Sequence, residues 1–315
     1  MNVLLVAEES AGLQALRLVT DREHRVAGVL TATGEERGST VAGLARQLGI
    51  PTLDPALVRD PGFAAWLAAE RVDLLLNVHS LQIAHADIVA APRVGSFNLH
   101  PGPLPSYAGL NAPSWAIYEG ERRHAVTVHW MTAQVDAGAI AYEAWFDIAP
   151  ADTGLRVATN CVRHGVPLLG RLLDDASQGA DRVPAAPQAS DGRRWFGPHP
   201  PHDGGLPWDL PAQRIVDLVR AADYSPFRSP WGWPRTSLDG REVEVVRVSA
   251  TGEATAAPPG VVGEVRGTGA LVAAADEWVL VERIRGGGVA AEPAASLVPG
   301  RRLATRPRRD GVDVG

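Results

Sequence analysis

The sequence predicts an α/β chain: a mostly parallel sheet covered by helices, followed by a smaller C-terminal β-barrel domain. Three observations carry that expectation. Over the first half of the chain, short apolar runs alternate with stretches of helical periodicity, the pattern of strand–helix–strand units. Residues 177–202 then become rich in Pro, Gly, Ala and Asp with little periodicity, as an interdomain linker does. Beyond Pro211 and the short helix it opens, the apolar runs are short and separated by Gly-rich turns, the mark of a small barrel or sandwich.

Taken in order, Val3-Leu4-Leu5-Val6 reads as a buried parallel strand. A helix with Leu13, Leu16 and Leu18 follows, then a strand over 25–30. The next helix, 41–48, is ended by Gly49 and Pro51. Residues 63–70 form another helix, and 72–78 and 94–99 are strands. Residues 113–118 suit a helix that begins at a proline. Strands over 125–131 and 140–148 precede a helix over 153–173, with Val157, Cys161, Val162, Val166, Leu168 and Leu169 broadly at helical spacing. A short helix over 211–222 and strand-like runs at 242–248, 260–265 and 278–284 complete the pattern. The expected boundaries are 1–176 for the N-terminal domain, 177–205 for the linker, 206–304 for the C-terminal helix and barrel, and 305–315 for a polar tail.

Composition narrows the function. The 315 residues are 45% hydrophobic and 21% charged, as in ordinary globular chains rather than disordered ones. Cys161 is the single cysteine, so a disulfide scaffold is excluded. No apolar run is long enough to span a bilayer and the start lacks a signal-peptide pattern, so the expected location is cytoplasmic, with no membrane partner. The net charge of −6 argues against broad capture of nucleic acid. All thirty basic residues are arginine, which excludes lysine Schiff-base chemistry and a lysine phosphate loop. The first strand–helix turn, Ala7-Glu8-Glu9-Ser10-Ala11-Gly12, lacks the glycine fingerprint of a dinucleotide site.

The densest chemical signal is Phe97-Asn98-Leu99-His100-Pro101-Gly102-Pro103-Leu104-Pro105. Asn98 and His100 share one face at the end of a strand, where open α/β sheets bind ligands. The Pro/Gly run then forces a rigid loop. A second polar segment, Thr132-Ala133-Gln134-Val135-Asp136-Ala137-Gly138, joins two strands and offers a carboxylate that can approach His100. Singly, His100 reads as a packing residue, and Asn98 and Asp136 as turn formers. His79, His124 and His129 read as structural or solvated, with His79 the best outsider. Cys161 reads as helix packing, and His199 and His202 as linker residues rather than metal ligands. Trp195, Trp208, Tyr224, Phe227, Trp231 and Trp233 read as an interface core.

In combination the residues say more. Asn98-Leu99-His100, Leu104-Pro105, Tyr107, Gly109, Asn111-Ala112-Pro113, Trp115-Ala116-Ile117, Gly120-Glu121, Val126-Thr127, His129-Trp130-Met131 and Asp136-Ala137-Gly138 together resemble the 10-formyltetrahydrofolate-dependent formyltransferase family. The resemblance is specific over 72–148. It implies a Rossmann-like formyltransferase fold with an OB-like C-terminal barrel, 10-formyltetrahydrofolate as co-substrate, and no metal. It assigns catalysis to Asn98, His100 and Asp136. It places the pterin against Leu81, Gln82 and Ile83 and against Thr132, Ala133, Gln134, Val135 and Asp136, with Gly102, Pro103, Leu104, Pro105 and Leu110 lining the same cleft. An amine attacks the formyl carbon and charge develops on its oxygen. A protonated His100 and the Asn98 amide then donate to that oxygen, while Asp136 holds the imidazolium and takes the amine's proton.

The segments 105–116 and 226–234 are most similar to peptide-synthetase formylation domains. That likeness implies an acceptor amine, primary or hydroxylated, on an amino acid or on an aminoacyl group of a carrier protein in trans, of the non-ribosomal peptide or siderophore type. A sugar nucleotide, methionyl-tRNA and water (a hydrolase) are the alternatives, in that order. Transfer RNA is disfavoured because 31–39 is short and not basic. Arg301, Arg302, Arg306, Arg308 and Arg309 are the one feature in its favour. The oligomeric state is left open.

Overall fold

A computed structural model of the chain describes residues 1–32, 40–287 and 289–305. Most of 31–39, and Arg306, Arg308 and Arg309, lie outside the described residues. The chain forms two compact units. One comprises Met1–Ala112, Arg123–Asp147 and Ala158–Phe196, and the other Pro113–Arg122, Ile148–Val157 and the chain from Gly197 onward.

The first half of the chain runs β1 (Asn2–Ala7), α1 (Glu9–Asp21), β2 (Arg25–Leu30), α2 (Val41–Gln47), β3 (Thr52–Leu53), α3 (Phe63–Ala69), β4 (Leu74–Val78), α4 (Ala86–Ala90), β5 (Gly95–His100), β6 (Ala108–Gly109), α5 (Ala112–Tyr118), β7 (Arg123–Trp130), β8 (Ile140–Asp147), α6 (Gly154–Gln178) and β9 (Trp195–Phe196). Seven strands form one sheet in the order β3-β2-β1-β4-β5-β7-β8. The first five are parallel. β7 and β8 continue the sheet antiparallel. The parallel strands are covered on both faces, which is why residues 3–7 of β1 and 74–76 of β4 read as apolar runs. Thr40 caps α2 by accepting from the Gly43 amide at 3.0 Å.

Register is what matters for the site. Asn77 on β4 lies opposite Asn98 on β5, and Asn98 lies opposite His129 on β7. His100 is paired with Thr127. Opposed residues share a face, so three strands present a row of polar side chains near the carboxyl edge of a sheet whose interior is Leu and Val.

The second unit holds α7 (Ala212–Ala221), β10 (Arg235–Leu238), β11 (Arg241–Ala254), β12 (Val262–Arg266), β13 (Gly269–Ala273), β14 (Glu277–Gly286), β15 (Val289–Ala291), α8 (Pro293–Ser296) and β16 (Leu303–Thr305). Its strands are antiparallel, in the order β12-β13-β14-β11-β10-β16, with β15 on β14. The two ends of that path meet: Val261 bridges Arg302, and the Leu303 amide donates to the Gly260 carbonyl at 2.8 Å. Between barrel and sandwich, this closure selects the barrel. Trp208 and Trp231 are buried within this unit, whereas Trp195 and Phe227, expected in an apolar interface core, are exposed.

Candidate active site

Asn98 and His100 leave the end of β5, and Asp136 comes from the β7–β8 loop. The structure brings all three together. Asp136 Oδ2 lies 3.5 Å from His100 Nδ1. Its Oδ1 lies 3.4 Å from Asn98 Nδ2. Asp136 is 7% exposed and takes a left-handed backbone conformation, φ +52°. Two glycines make the loop possible. A Cβ on Gly138 would stand 1.8 Å from the Trp130 carbonyl oxygen. A Cβ on Gly109, at φ +95°, would stand 2.2 Å from the Phe196 carbonyl oxygen. The bare Gly109 amide instead donates to Asp136 Oδ2 at 2.9 Å.

A fourth side chain belongs to the cluster. His129, expected to be structural or solvated, is buried, with Nε2 3.4 Å from Asp136 Oδ1 and 3.0 Å from Asn98 Nδ2. Its Nδ1 donates to the Trp130 carbonyl at 2.8 Å, leaving Nε2 to accept from the Asn98 amide. The signal for it was present: Thr127 and His129 alternate with the apolar Val126, Val128 and Trp130 in the second half of β7.

The protonation states depart from the sequence expectation of a charged His100. The ring is 3% exposed. Burial pushes its pKa down, outweighing the Asp136 carboxylate and the Tyr107 carbonyl, which favour the charged form. His100 Nε2 donates to the Tyr107 carbonyl at 2.6 Å, so in the neutral ring Nδ1 turns its lone pair toward Asp136. Burial also pushes the Asp136 carboxyl up. Attraction to His100, the close approach of the His129 ring and the Gly109 amide overcome that, and it falls to about 2. The pair thus stands at neutral pH as a carboxylate facing a free ring nitrogen, with room for one proton between them.

The segments assigned to the folate are placed as follows. An open cleft of about 460 Å³ is lined by Pro105, Thr132 and Gln134, with Ala137–Ala139, Pro187–Ser190 and Arg193. Ala133 and Val135 are exposed on the same loop. Gly102, Pro103 and Leu104 are buried and Leu110 is half-buried, and none of the four is among the residues lining that cleft. Leu81 and Ile83 stand out at 77% and 64% exposure. Gln82 Oε1 and, one row along from Asn98, Asn77 Oδ1 are buried without a hydrogen-bond partner, and buried acceptors of that kind call for a donor from elsewhere. A ligand with an apolar face and a donor-bearing edge fits these residues.

Cys161 offers no nucleophile, since it is fully buried and burial pushes its thiol far up. No group of three His, Cys, Asp or Glu among the described residues could hold a metal ion. No helix among them is long and apolar enough to cross a membrane.

An open α/β sheet whose carboxyl edge carries an amide beside a carboxylate–imidazole pair has the groups to take a proton from an attacking nucleophile and to donate to an oxygen that gains charge, as group transfer requires. The chain belongs to the formyltransferase family: residues 3–169 match the family described as Formyl transferase, and 200–302 its C-terminal domain. It is 33% identical to a methionyl-tRNA formyltransferase of Synechococcus sp. (strain JA-3-3Ab) over 82% of this chain and 80% of that one. A methionyl-tRNA formyltransferase of Roseiflexus castenholzii is 30% identical over 98% of both. Among solved structures, an N-formyltransferase from Helicobacter canadensis, complexed with folinic acid and dTDP-3-aminofucose, shares the fold at TM-score 0.67 and 13% identity, over 89% of this chain and 98% of that one. HypX from Aquifex aeolicus in complex with tetrahydrofolic acid aligns at 0.62 and 19%, over 94% of this chain and 46% of that one. The chain is a formyltransferase.

Proposed function

We propose that this enzyme formylates the amine of an amino acid, or of an aminoacyl group on a carrier protein acting in trans. The observation that carries the chemistry is the 3.5 Å approach of Asp136 to the free Nδ1 of His100. 10-Formyltetrahydrofolate supplies a formyl carbon on N10; the amine nitrogen bonds to it as the carbon–N10 bond breaks. The Asp136–His100 pair takes the proton the amine sheds and holds it between Oδ2 and Nδ1, for return to N10. Asn98 Nδ2, now shared between His129 and Asp136, is the donor for the oxygen that gains charge. His129 keeps that amide oriented. The folate is assigned to Leu81, Gln82 and Ile83 and the Thr132–Asp136 loop, with Gly102–Pro105 and Leu110 shaping the cleft.

The acceptor class rests on the sequence likeness of 105–116 and 226–234 to peptide-synthetase formylation domains, and on the net charge of −6, which repels a polyanion such as tRNA. One observation favours a second reading, methionyl-tRNA: the relative at 30% identity over 98% of both chains carries that name. The test is to incubate the enzyme with 10-formyltetrahydrofolate and, in turn, amino acids, a hydroxylated amine, an aminoacyl carrier protein, an amino-sugar nucleotide and initiator methionyl-tRNA. Folate release and formylated product are followed by mass spectrometry. Release dependent on an amino-acid amine supports the proposal. Release dependent on the tRNA or the sugar nucleotide moves the acceptor, and release without any amine makes the enzyme a hydrolase.

A further inference from the structure

We infer that Arg193 and Gln188, in the segment between α6 and β9, are positioning residues that hold Asp136 in its working conformation. The inference rests on the reading that Asp136 takes up the acceptor's proton.

Asp136 sits at φ +52°, a left-handed conformation that crowds a residue bearing a Cβ and persists where the surroundings over-determine it. The carboxylate itself is fixed from one side by the Gly109 amide. The backbone that carries it is fixed from the other. The Arg193 guanidinium forks across two successive carbonyls, its two terminal nitrogens donating to Asp136 O and Val135 O, each at 2.9 Å. Gln188 Nε2 donates to Asp136 O at 3.0 Å and to Gly138 O at 2.8 Å. These four hydrogen bonds grip the carbonyls on either side of, and at, the residue whose carboxylate must face His100 at 3.5 Å. All four acceptors are main-chain, so the grip acts through geometry. Both side chains also line the cleft, so the position of the loop and the shape of the cleft are set by one segment.

The predicted signature separates positioning from ligand contact. With 10-formyltetrahydrofolate and whichever amine the wild-type enzyme formylates, Arg193→Ala lowers kcat about a hundredfold, the effect of displacing a reacting group by an ångström, with little change in KM for the folate. Guanidinium added in millimolar amounts restores part of that rate to Arg193→Ala and none to Asp136→Ala. Arg193→Lys, which reaches one carbonyl of the two, falls between. Gln188→Glu, isosteric but with an acceptor facing two carbonyl oxygens, loses at least as much as Gln188→Ala. A crystal structure of Arg193→Ala reads the loop without an assay: Asp136 leaves the left-handed region and its contact with His100 opens. Unchanged kcat, a loss confined to KM for the folate, a loss that follows the melting temperature with no rescue by guanidinium, or a variant structure that keeps Asp136 in place would each overturn the inference. A wild-type enzyme inactive with every amine instead sinks the proposed acceptor reading, and the variant structure still decides this one.

Discussion

Two aspartates in this protein are buried to nearly the same degree, and they are neutralised in opposite ways. Asp217, 4% exposed on α7 in the second unit, accepts from Arg220 Nε at 2.8 Å and from Gln213 Nε2 at 2.9 Å. Its principal partner is a guanidinium that does not titrate. Asp136, 7% exposed in the first unit, faces an amide, a backbone N–H and two imidazoles. A carboxylate tied to arginine is a structural charge pair. A carboxylate tied to histidine can pass a proton, because an imidazole ring nitrogen can accept or give one. The comparison teaches that burial of an acid does not mark an active site; the titratability of its partners does.

The largest expected effect tests that contrast at Asp136. Replacement by Asn keeps size and removes proton uptake, and kcat should fall on the order of a thousandfold, within the span of general acid–base effects. His100→Ala should fall comparably. Circular dichroism and thermal melting should show both variants folded. Near-normal turnover in either would break the contrast, since the pair would then not be where the proton goes. Asp217→Asn should give the reverse outcome. It leaves Arg220 largely buried beside a neutral partner, and the loss of stability should be about 3 kcal/mol, read from urea unfolding of the intact chain, with kcat unchanged. A large fall in kcat there would show that the second unit is coupled to the chemistry.

The buried histidines add a pH dependence of definite sign. His124 is fully buried on β7 and donates through Nε2 to the Pro101 carbonyl at 2.9 Å. Burial lowers its pKa from the ordinary 6.5 to about 4. Between those two values the unfolded chain binds a proton that the folded chain refuses, so stability rises with pH across that window and is lost as pH falls from 6.5 to 4. The drop from this residue alone should be about 3 kcal/mol. His100, shifted down by burial too, adds a loss of the same sign. Asp136 acts lower: its contribution is present above the ordinary carboxylate pKa and disappears only as pH falls through about 2. His124→Gln keeps a donor for Pro101 and removes the titration. Its unfolding free energy, measured between pH 7 and 4, should fall less steeply than the wild type's. An identical slope would mean that the acid sensitivity arises elsewhere.

Much of this was legible in the residues. The parallel strands announce themselves because burial on both faces favours runs of apolar residues, and β2 spans the residues read for it, 25–30. Asn98 and His100 were visible as alternating polar residues at the end of such a strand, and Asp136 as the acid of the loop that follows β7. What was not legible depends on distance in sequence. His129 meets Asn98 through the β5–β7 register, which is set by everything between residues 100 and 123 and not by either strand alone. Gln188 and Arg193 lie in a segment whose composition suggested a linker, because a chain that folds by donating to loop carbonyls needs no periodicity. The neutral state of His100 follows from how deeply the sheet encloses it, a tertiary fact. In the barrel, β10 and β16 were missed: Thr236, Ser237 and their neighbours have no apolar run to mark them.

The smallest expected effect sharpens the comparison most, because the same change can be made in both units. Thr127 and Thr236 are each fully buried. Thr127 Oγ1 donates to the Gly102 carbonyl at 2.8 Å, in the loop that leaves His100. Thr236 Oγ1 donates to Ala304 O and accepts from Trp208 Nε1, each at 3.0 Å, inside the barrel. Valine has the same shape and no hydroxyl. Thr236→Val breaks two hydrogen bonds and should cost about 2 kcal/mol of stability, while Thr127→Val breaks one and should cost about 1. The order should invert in kinetics. The Gly102 carbonyl, released by Thr127→Val, belongs to a loop whose preceding carbonyl, Pro101, is held by His124 and whose start is His100 itself. A small shift there moves the imidazole relative to Asp136, and kcat should fall several-fold. Thr236→Val should leave kcat at the wild-type value despite the greater loss of stability. Equal kinetic losses in the two variants would mean that turnover follows global stability, and that the division of buried polar groups into proton-handling and purely structural ones is wrong.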